Sequence, residues 1–214
     1  MLIKQGPNKI DWCDFTWNPI SGFCQHSCSY CYMWPIWKRF PELRIGKLRS
    51  EYLLDCFPKK SSVIFVGSST DMFGDWVPSE WIQQVLNVAA KETNHKFLFL
   101  TKNPKRYGEF IFSENCRLGT TVDGTTRTEN NIDDLYCEAQ GDLGLFVSYE
   151  PLLGPVVLDS LIEWVIIGAD SNKGAAKPPL KWADDIIWSA KENDIPVWVK
   201  DNYQYPEIIK QRPF

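Results

Sequence analysis

Apolar residues in this chain gather into short unbroken runs separated by longer, mixed stretches. Six strand-sized runs stand out: Val63–Gly67, Phe97–Thr101, Arg117–Val122, Leu145–Tyr149, Trp164–Gly168 and Pro196–Lys200. Most are continuous rather than alternating, as expected of strands covered on both faces. The stretches between them include segments with helical periodicity. In Ser79–Thr93, residues Trp81, Ile82, Val85, Leu86 and Ala89 share one face, and Ser79 is placed to cap the helix. A second helix is expected over Trp182–Asn193, with Asp184, Asp185 and Lys191 turned outward. An earlier strand around Asp11–Trp17 brings the strand–helix units to about seven.

Alternation of this kind predicts an α/β fold with a parallel sheet. A closed eight-stranded barrel usually takes about 250 residues, and this chain has 214. The expectation is therefore a shortened or partial (β/α) barrel with six to seven parallel strands. A doubly wound open sheet is the alternative, although no glycine-rich dinucleotide fingerprint follows any of the runs. One domain is expected over residues 1–214, with 1–10 and 203–214 as terminal extensions.

The ends of the runs carry the chemistry. Val63–Gly67 leads into Ser68, Ser69, Thr70 and Asp71; Phe97–Leu100 into Thr101 and Lys102; Gly119 into Thr120, Thr121 and Asp123. Leu145–Val147 runs into Ser148, Tyr149 and Glu150, Trp164–Gly168 into Asp170 and Ser171, and Val197–Val199 into Lys200 and Asp201. Parallel α/β folds bind ligands at the carboxyl ends of their strands. Six polar ends in succession predict one shared polar site.

Composition agrees with a folded globular chain: 44% of residues are hydrophobic and 23% charged, which excludes global disorder. The net charge of −4 argues against a protein that mainly grips nucleic-acid backbones. That charge is uneven, however, with residues 1–60 at +4 and the remainder at −8. Lys38, Arg39, Arg44, Lys47, Arg49, Lys59 and Lys60 form a basic stretch, read either as a solvated face or as a patch for an anionic substrate. No signal-peptide pattern and no membrane-length apolar run is visible, so a cytoplasmic protein with no membrane partner is expected.

Seven cysteines are present, and three cluster in Gly22-Phe23-Cys24-Gln25-His26-Ser27-Cys28-Ser29-Tyr30-Cys31-Tyr32. The spacing is C-x3-C-x2-C. Three thiolates on a short loop can hold three irons of a [4Fe–4S] cubane and leave the fourth open to a small molecule. A closed zinc site is the rival reading, with Cys13 or His26 as fourth ligand and the basic stretch contacting nucleic acid. A purely structural role or a disulfide is a further one. His26 is expected to support the loop rather than to ligate. Cys13, Cys56, Cys116 and Cys137 are scattered; most are expected to be buried small side chains, with an auxiliary cluster as the alternative.

The cysteine spacing, with an aromatic residue just before the last Cys, resembles the cluster motif of the radical S-adenosylmethionine (radical SAM) superfamily. Thr16-Trp17-Asn18-Pro19, Asp71-Met72-Phe73-Gly74, Phe97–Pro104, Glu150–Pro155 and Trp164–Gly168 resemble a phage-associated, radical-SAM-like family of unassigned function. A looser similarity joins Cys28–Tyr32 and Ser69-Thr70-Asp71 to spore photoproduct lyase. The resemblance implies a cluster on Cys24, Cys28 and Cys31, with S-adenosylmethionine bound beside it. It also implies an electron donor such as flavodoxin or ferredoxin. Ser68, Ser69 and Thr70 would bond the amino or carboxylate group of S-adenosylmethionine, Asp71 the ammonium and Lys102 the carboxylate. Glu150 would accept from the ribose, and Tyr32 or Trp34 would pack on the cluster or the adenine. Asp170, Lys200 and Asp201 would lie nearer the substrate, for which a nucleic acid, a nucleoside, a peptide and a small metabolite all remain open.

Overall fold

A computed structural model of the chain describes residues 1–6, 9–139 and 143–214. Its strands are β1 (Leu2–Lys4), β2 (Phe15–Trp17), β3 (Ile20–Ser21), β4 (Lys47–Leu48), β5 (Val63–Val66), β6 (Lys96–Thr101), β7 (Cys116–Thr121), β8 (Gly144–Tyr149), β9 (Trp164–Ile167) and β10 (Val197–Val199). Its α-helices are α1 (Trp34–Arg39), α2 (Ser79–Lys91), α3 (Asn131–Glu138) and α4 (Leu180–Glu192). Among the described residues, no helix is long and apolar enough to cross a membrane.

Eight strands form one curled, half-barrel sheet in the order β1-β2-β5-β6-β7-β8-β9-β10. Each strand from β2 onward pairs in parallel with the next in that order. Only β1 runs antiparallel, on the outside of β2. A sheet whose neighbours follow chain order needs every crossover on the same side, because such connections are right-handed. The helices therefore collect on one face and the other face becomes a concave interior. The doubly wound alternative would have reversed strand order midway, and no reversal occurs.

Each sheet face has its own core. Ile64, Val66, Phe97, Phe99, Val147, Val165 and Ile167 point to the helix side. There they meet Ile82, Val85, Leu86 and Ala89 of α2, and Ala183, Ile186, Ile187 and Ala190 of α4. Each such Val, Leu or Ile withdrawn from water contributes roughly 1.5–3 kcal/mol before entropy is counted. The concave side holds Val63, Phe65, Leu98, Phe146, Trp164, Ile166 and Trp198, with Trp12 and Cys13 packed across them. Side chains alternate along a strand, so the runs are apolar throughout while serving two separate cores. Gly119 matters to the second core. A Cβ there would sit 2.4 Å from the Phe146 ring on the neighbouring strand, so only glycine lets that ring lie flat on the sheet.

Several expectations are corrected. Ser79 does not cap α2; Pro78 precedes the helix with its φ fixed at −59°, and the Ser79 hydroxyl donates to Glu109 at 3.2 Å instead. Two crossovers lack an α-helix. Between β6 and β7 lies the 3-10 turn Pro104–Glu109, where the buried Tyr107 hydroxyl sits 2.9 Å from both the Phe99 and Gly119 carbonyls. The expected first strand is shorter, as only Phe15–Trp17 is extended. Both terminal segments touch the sheet edges: β1 pairs with β2, Val199 donates to the Ile209 carbonyl, and Gln211 donates to that of Val197. Cys13 and Cys116 are buried as expected, but Cys56 and Cys137 are exposed, and all seven thiols are free.

Candidate active site at the strand ends

The alternation that builds the concave core also builds the site above it. Continuing each inward-facing row past its last apolar residue gives Gly67 after Phe65, Lys102 after Leu100, Ser148 and Glu150 after Phe146, and Lys200 after Trp198. All of these line one cavity of about 790 Å3, with Thr121, Asp170, Ser171 and Asp201 also at its wall. The volume lies within the range of small-molecule sites. All six predicted polar strand ends thus meet at one place. Trp12, Phe65 and Leu100 form the apolar floor.

Cys24, Cys28 and Cys31 line the same cavity. They sit in a long excursion between β2 and β5 whose base is closed by the β3–β4 ribbon. The cysteine loop is laid over the strand ends and fastened to three of them. His26 Nε2 lies 2.8 Å from Asp71 Oδ2, past the end of β5. The Tyr30 hydroxyl donates to Asp123 Oδ2 at 2.6 Å, past β7. Asn172 Nδ2, past β9, donates to the Tyr30 carbonyl at 2.9 Å. Tyr32 donates to the Ser68 carbonyl, and Arg127 to the His26 carbonyl. Trp34 Nε1, in α1, donates to the Cys28 carbonyl at 2.9 Å.

Asp71 is the hub of this fastening. Besides His26, its carboxylate accepts from Thr101 Oγ1 at 2.8 Å, the Lys102 amide at 2.8 Å and the Phe73 amide at 3.0 Å. A carboxylate has about four acceptor sites, and the chain itself fills them. The structure therefore gives Asp71 a positioning part and leaves it no free oxygen for a ligand ammonium. Burial raises the Asp71 pKa, but the bonds from His26, Lys102 and Thr101 outweigh it and hold the carboxyl below its usual range. Asp123 follows the same pattern: burial raises its pKa, while bonds from Thr125, Tyr30 and Thr128 bring the net shift down. Burial and the bond to Asp123 push the Tyr30 phenol up.

The remaining predicted residues fall as follows. Ser68 and Ser69 are held by Asn18, whose Oδ1 accepts from the Ser68 hydroxyl and the Ser69 amide, both at 3.1 Å. Gly67, at φ +79°, makes the turn that sends them to the cavity. Thr70 is 5% exposed, and its Oγ1 has no hydrogen-bond partner among the described residues. Lys102 reaches over the Tyr30 ring, 5.7 Å from its centroid. Glu150 forms an ion pair with Lys200. Gly168 makes room for it, since a Cβ there would meet the Glu150 carboxyl carbon at 2.8 Å. Asp201 pairs with Lys210 at 2.9 Å. Of the basic stretch, all but the half-buried Arg49 are exposed.

The two readings of the loop place different demands on the thiols. Among the described residues, no three His, Cys, Asp or Glu side chains converge on a point that could hold a metal ion. A zinc site gathers its sulfurs around one centre at about 2.3 Å each, and the proposed fourth ligands are engaged elsewhere. Cys13 is packed in the concave core, where burial pushes its thiol up to about 12, and His26 is bound to Asp71. A cubane takes each thiolate on a separate iron, so its three ligands do not have to meet at one metal ion. Burial pushes the Cys24 thiol up to about 11 and raises Cys31 as well. Taking up a metal would therefore release protons from them. The donor set, three free thiols lining one polar cavity, has the chemistry a cluster needs.

Asn18, Tyr30, Trp12 and Asn202 were not singled out as site residues from the sequence. Asn202 bonds the Ala169 carbonyl at 2.7 Å and so ties the end of β9 to the segment after β10. For Asn18 and Tyr30 a signal existed, because both lie inside the motifs that carried the resemblance. A family model described as "Protein of unknown function (DUF5131)" matches residues 7–212, and the chain belongs to that family. No curated protein and no solved structure matches it.

Proposed function

We propose that this member of the family is a radical SAM enzyme. Cys24, Cys28 and Cys31 would hold a [4Fe–4S] cluster at the cavity mouth, and S-adenosylmethionine would lie against the strand ends. The observation that carries the reading is the shared cavity. Three free thiols on one fastened loop line it together with polar residues from six consecutive strand ends. When bound, cluster and S-adenosylmethionine would supply radical chemistry, the means to generate a 5′-deoxyadenosyl radical and abstract hydrogen from a substrate.

The chain's own part is to bind, orient and exclude water. Asp71, Tyr30 and Asn172 keep the cysteine loop from moving relative to β5, β7 and β9, so the thiols are preset. Ser68, Ser69 and Thr70 offer hydroxyls and amides to the amino and carboxylate groups of the ligand. Lys102, with no carboxylate partner among the described residues, offers a cation to the carboxylate. Glu150, steadied by Lys200, accepts from the ribose hydroxyls, and Tyr32 packs on the adenine. The floor of Trp12, Phe65 and Leu100 keeps water from the reacting end.

Anaerobic reconstitution with iron and sulfide tests the reading. A brown protein with about four irons per chain, whose reduced paramagnetic signal changes when S-adenosylmethionine is added, supports it. A colourless protein holding a single zinc contradicts it.

A further inference from the structure

The charge asymmetry read from the sequence has a location. Residues 18–60, the excursion between β2 and β5, carry +4, while the rest of the chain carries −8. None of its seven cations has a carboxylate partner among the described residues, and five of them, Lys38, Arg39, Arg44, Lys47 and Arg49, lie within residues 32–49. Aromatic rings are interleaved with them and stay open to solvent: Tyr32 is 50% exposed, Trp34 38% and Phe40 41%. The two sets are in contact. Arg39 lies 5.1 Å from the centre of the Phe40 ring, Arg44 5.0 Å from that of Phe23, and Phe23 packs on both Trp34 and Trp37.

The lobe adjoins the cavity through Tyr32, Met33 and Trp37. A second, smaller cavity of about 170 Å3 is lined by Gly22, Leu43, Arg49 and Tyr52, and shares Met33, Trp37 and Ser69 with the large one. The buried Met33 and Trp37 form the wall between the two cavities, with Arg49 on one side of it and the strand ends on the other. A solvated charged face would not need large exposed rings, and an apolar partner would not need five unpaired cations. Cations that track a backbone, beside rings on which bases can stack, are the two components of a single-strand nucleic-acid site. The negative charge of the remaining surface would confine such a ligand to this lobe.

We infer that the lobe of residues 32–49 binds single-stranded nucleic acid and leads one nucleotide into the cavity, which makes that nucleotide the substrate of the site. The substrate assignment rests on the radical SAM reading above; the binding surface does not. Phosphates would lie along Lys38, Arg39, Arg44, Lys47 and Arg49, and bases would stack on Trp34 and Phe40. The cavity mouth, already crossed by the cysteine loop, admits a flipped or unpaired base and not a duplex.

The test is fluorescence anisotropy with labelled oligo-dT and oligo-U, and a duplex of the same length, on the full chain as purified. This needs neither cluster nor S-adenosylmethionine. Tight binding of a single strand is expected at about 50 mM salt, with a log–log salt slope of about −3.5 if all five cations engage. Lys38→Glu with Arg39→Glu should weaken it at least tenfold and flatten the slope. Phe40→Ala, which removes stacking without touching charge, should weaken it about fivefold or more. Lys181→Glu with Lys191→Glu, on α4, should change it less than about twofold. Whichever of oligo-dT and oligo-U binds more tightly identifies the strand as DNA or RNA. No binding by the wild type, equal loss in the lobe and α4 variants, or preference for the duplex would overturn the inference. Binding without S-adenosylmethionine cleavage would sink the radical reading alone, and cleavage without binding would sink the strand alone.

Discussion

His26 Nε2 stands 2.8 Å from Asp71 Oδ2, and this contact joins the middle of the cysteine loop to the end of β5. Two residues 45 positions apart thereby set where the three thiols lie relative to the cavity. Asp71→Asn keeps the shape but places an amide N–H among donors. Leaving buried donors unpaired costs about 1–3 kcal/mol each, so a loss of about 3 kcal/mol is expected. In a chain of this size that lowers the melting temperature by roughly 6–12 °C. A melt of Asp71→Asn indistinguishable from wild type would show that the hub does not hold the loop.

Thr70 offers a sharper probe, because its buried hydroxyl oxygen has no partner among the described residues. Thr70→Val removes a desolvated polar atom while keeping the shape. The melting temperature of the ligand-free protein should hold or rise slightly. Affinity for S-adenosylmethionine, measured by calorimetry on the reconstituted protein, should fall about ten- to hundredfold, the equivalent of one hydrogen bond to a charged group. Unchanged affinity would show that the ligand does not reach this hydroxyl.

Gly168→Ala tests the place of Glu150. The added Cβ would come within 2.9 Å of Glu150 Oε1 and turn that carboxylate away from Lys200. Because the obstructed atoms belong to a side chain, the fold should lose only about 1 kcal/mol. Cleavage of S-adenosylmethionine should fall at least tenfold if Glu150 orients the ribose. Full activity with a normal melt would remove Glu150 from the site.

Stability should also depend on acid in a defined direction. The Asp123 carboxyl lies below its ordinary value of 3.8 in the folded chain, so the unfolded chain binds the proton first as pH falls. Its contribution is complete above the ordinary carboxylate range and is lost as pH drops through the folded value. Urea denaturation between about pH 5 and pH 2 should show falling stability. Asp123→Asn should flatten that slope, and an unaltered slope in the variant would contradict the assignment.

Much of this site is legible in the sequence because parallel strands announce themselves. Runs such as Phe97–Leu100 and Leu145–Val147 are apolar on both faces, and the first polar residues after them mark where the sheet meets solvent and ligand. The cysteine loop is legible because its ligand spacing is local. Asp71 shows what was hidden. The donors that fill it come from residues 26, 73, 101 and 102, and only the folded sheet brings them together. The antiparallel β1 and the β3–β4 ribbon were equally hidden, since strands of two or three residues carry no period to detect. Ser79 carries a capping pattern that goes unused, because proline at position 78 can start a helix by fixing φ without a side-chain cap.

The central claim concerns chemistry at the mouth of the cavity, and its most direct measurement is product release. The reconstituted protein is reduced under strict anaerobiosis, given S-adenosylmethionine, and assayed by mass spectrometry alongside Cys28→Ala. Release of 5′-deoxyadenosine with an equal amount of methionine, absent in the variant, is the predicted result. Intact S-adenosylmethionine after reduction of a fully loaded cluster, or equal release by the variant, would contradict it.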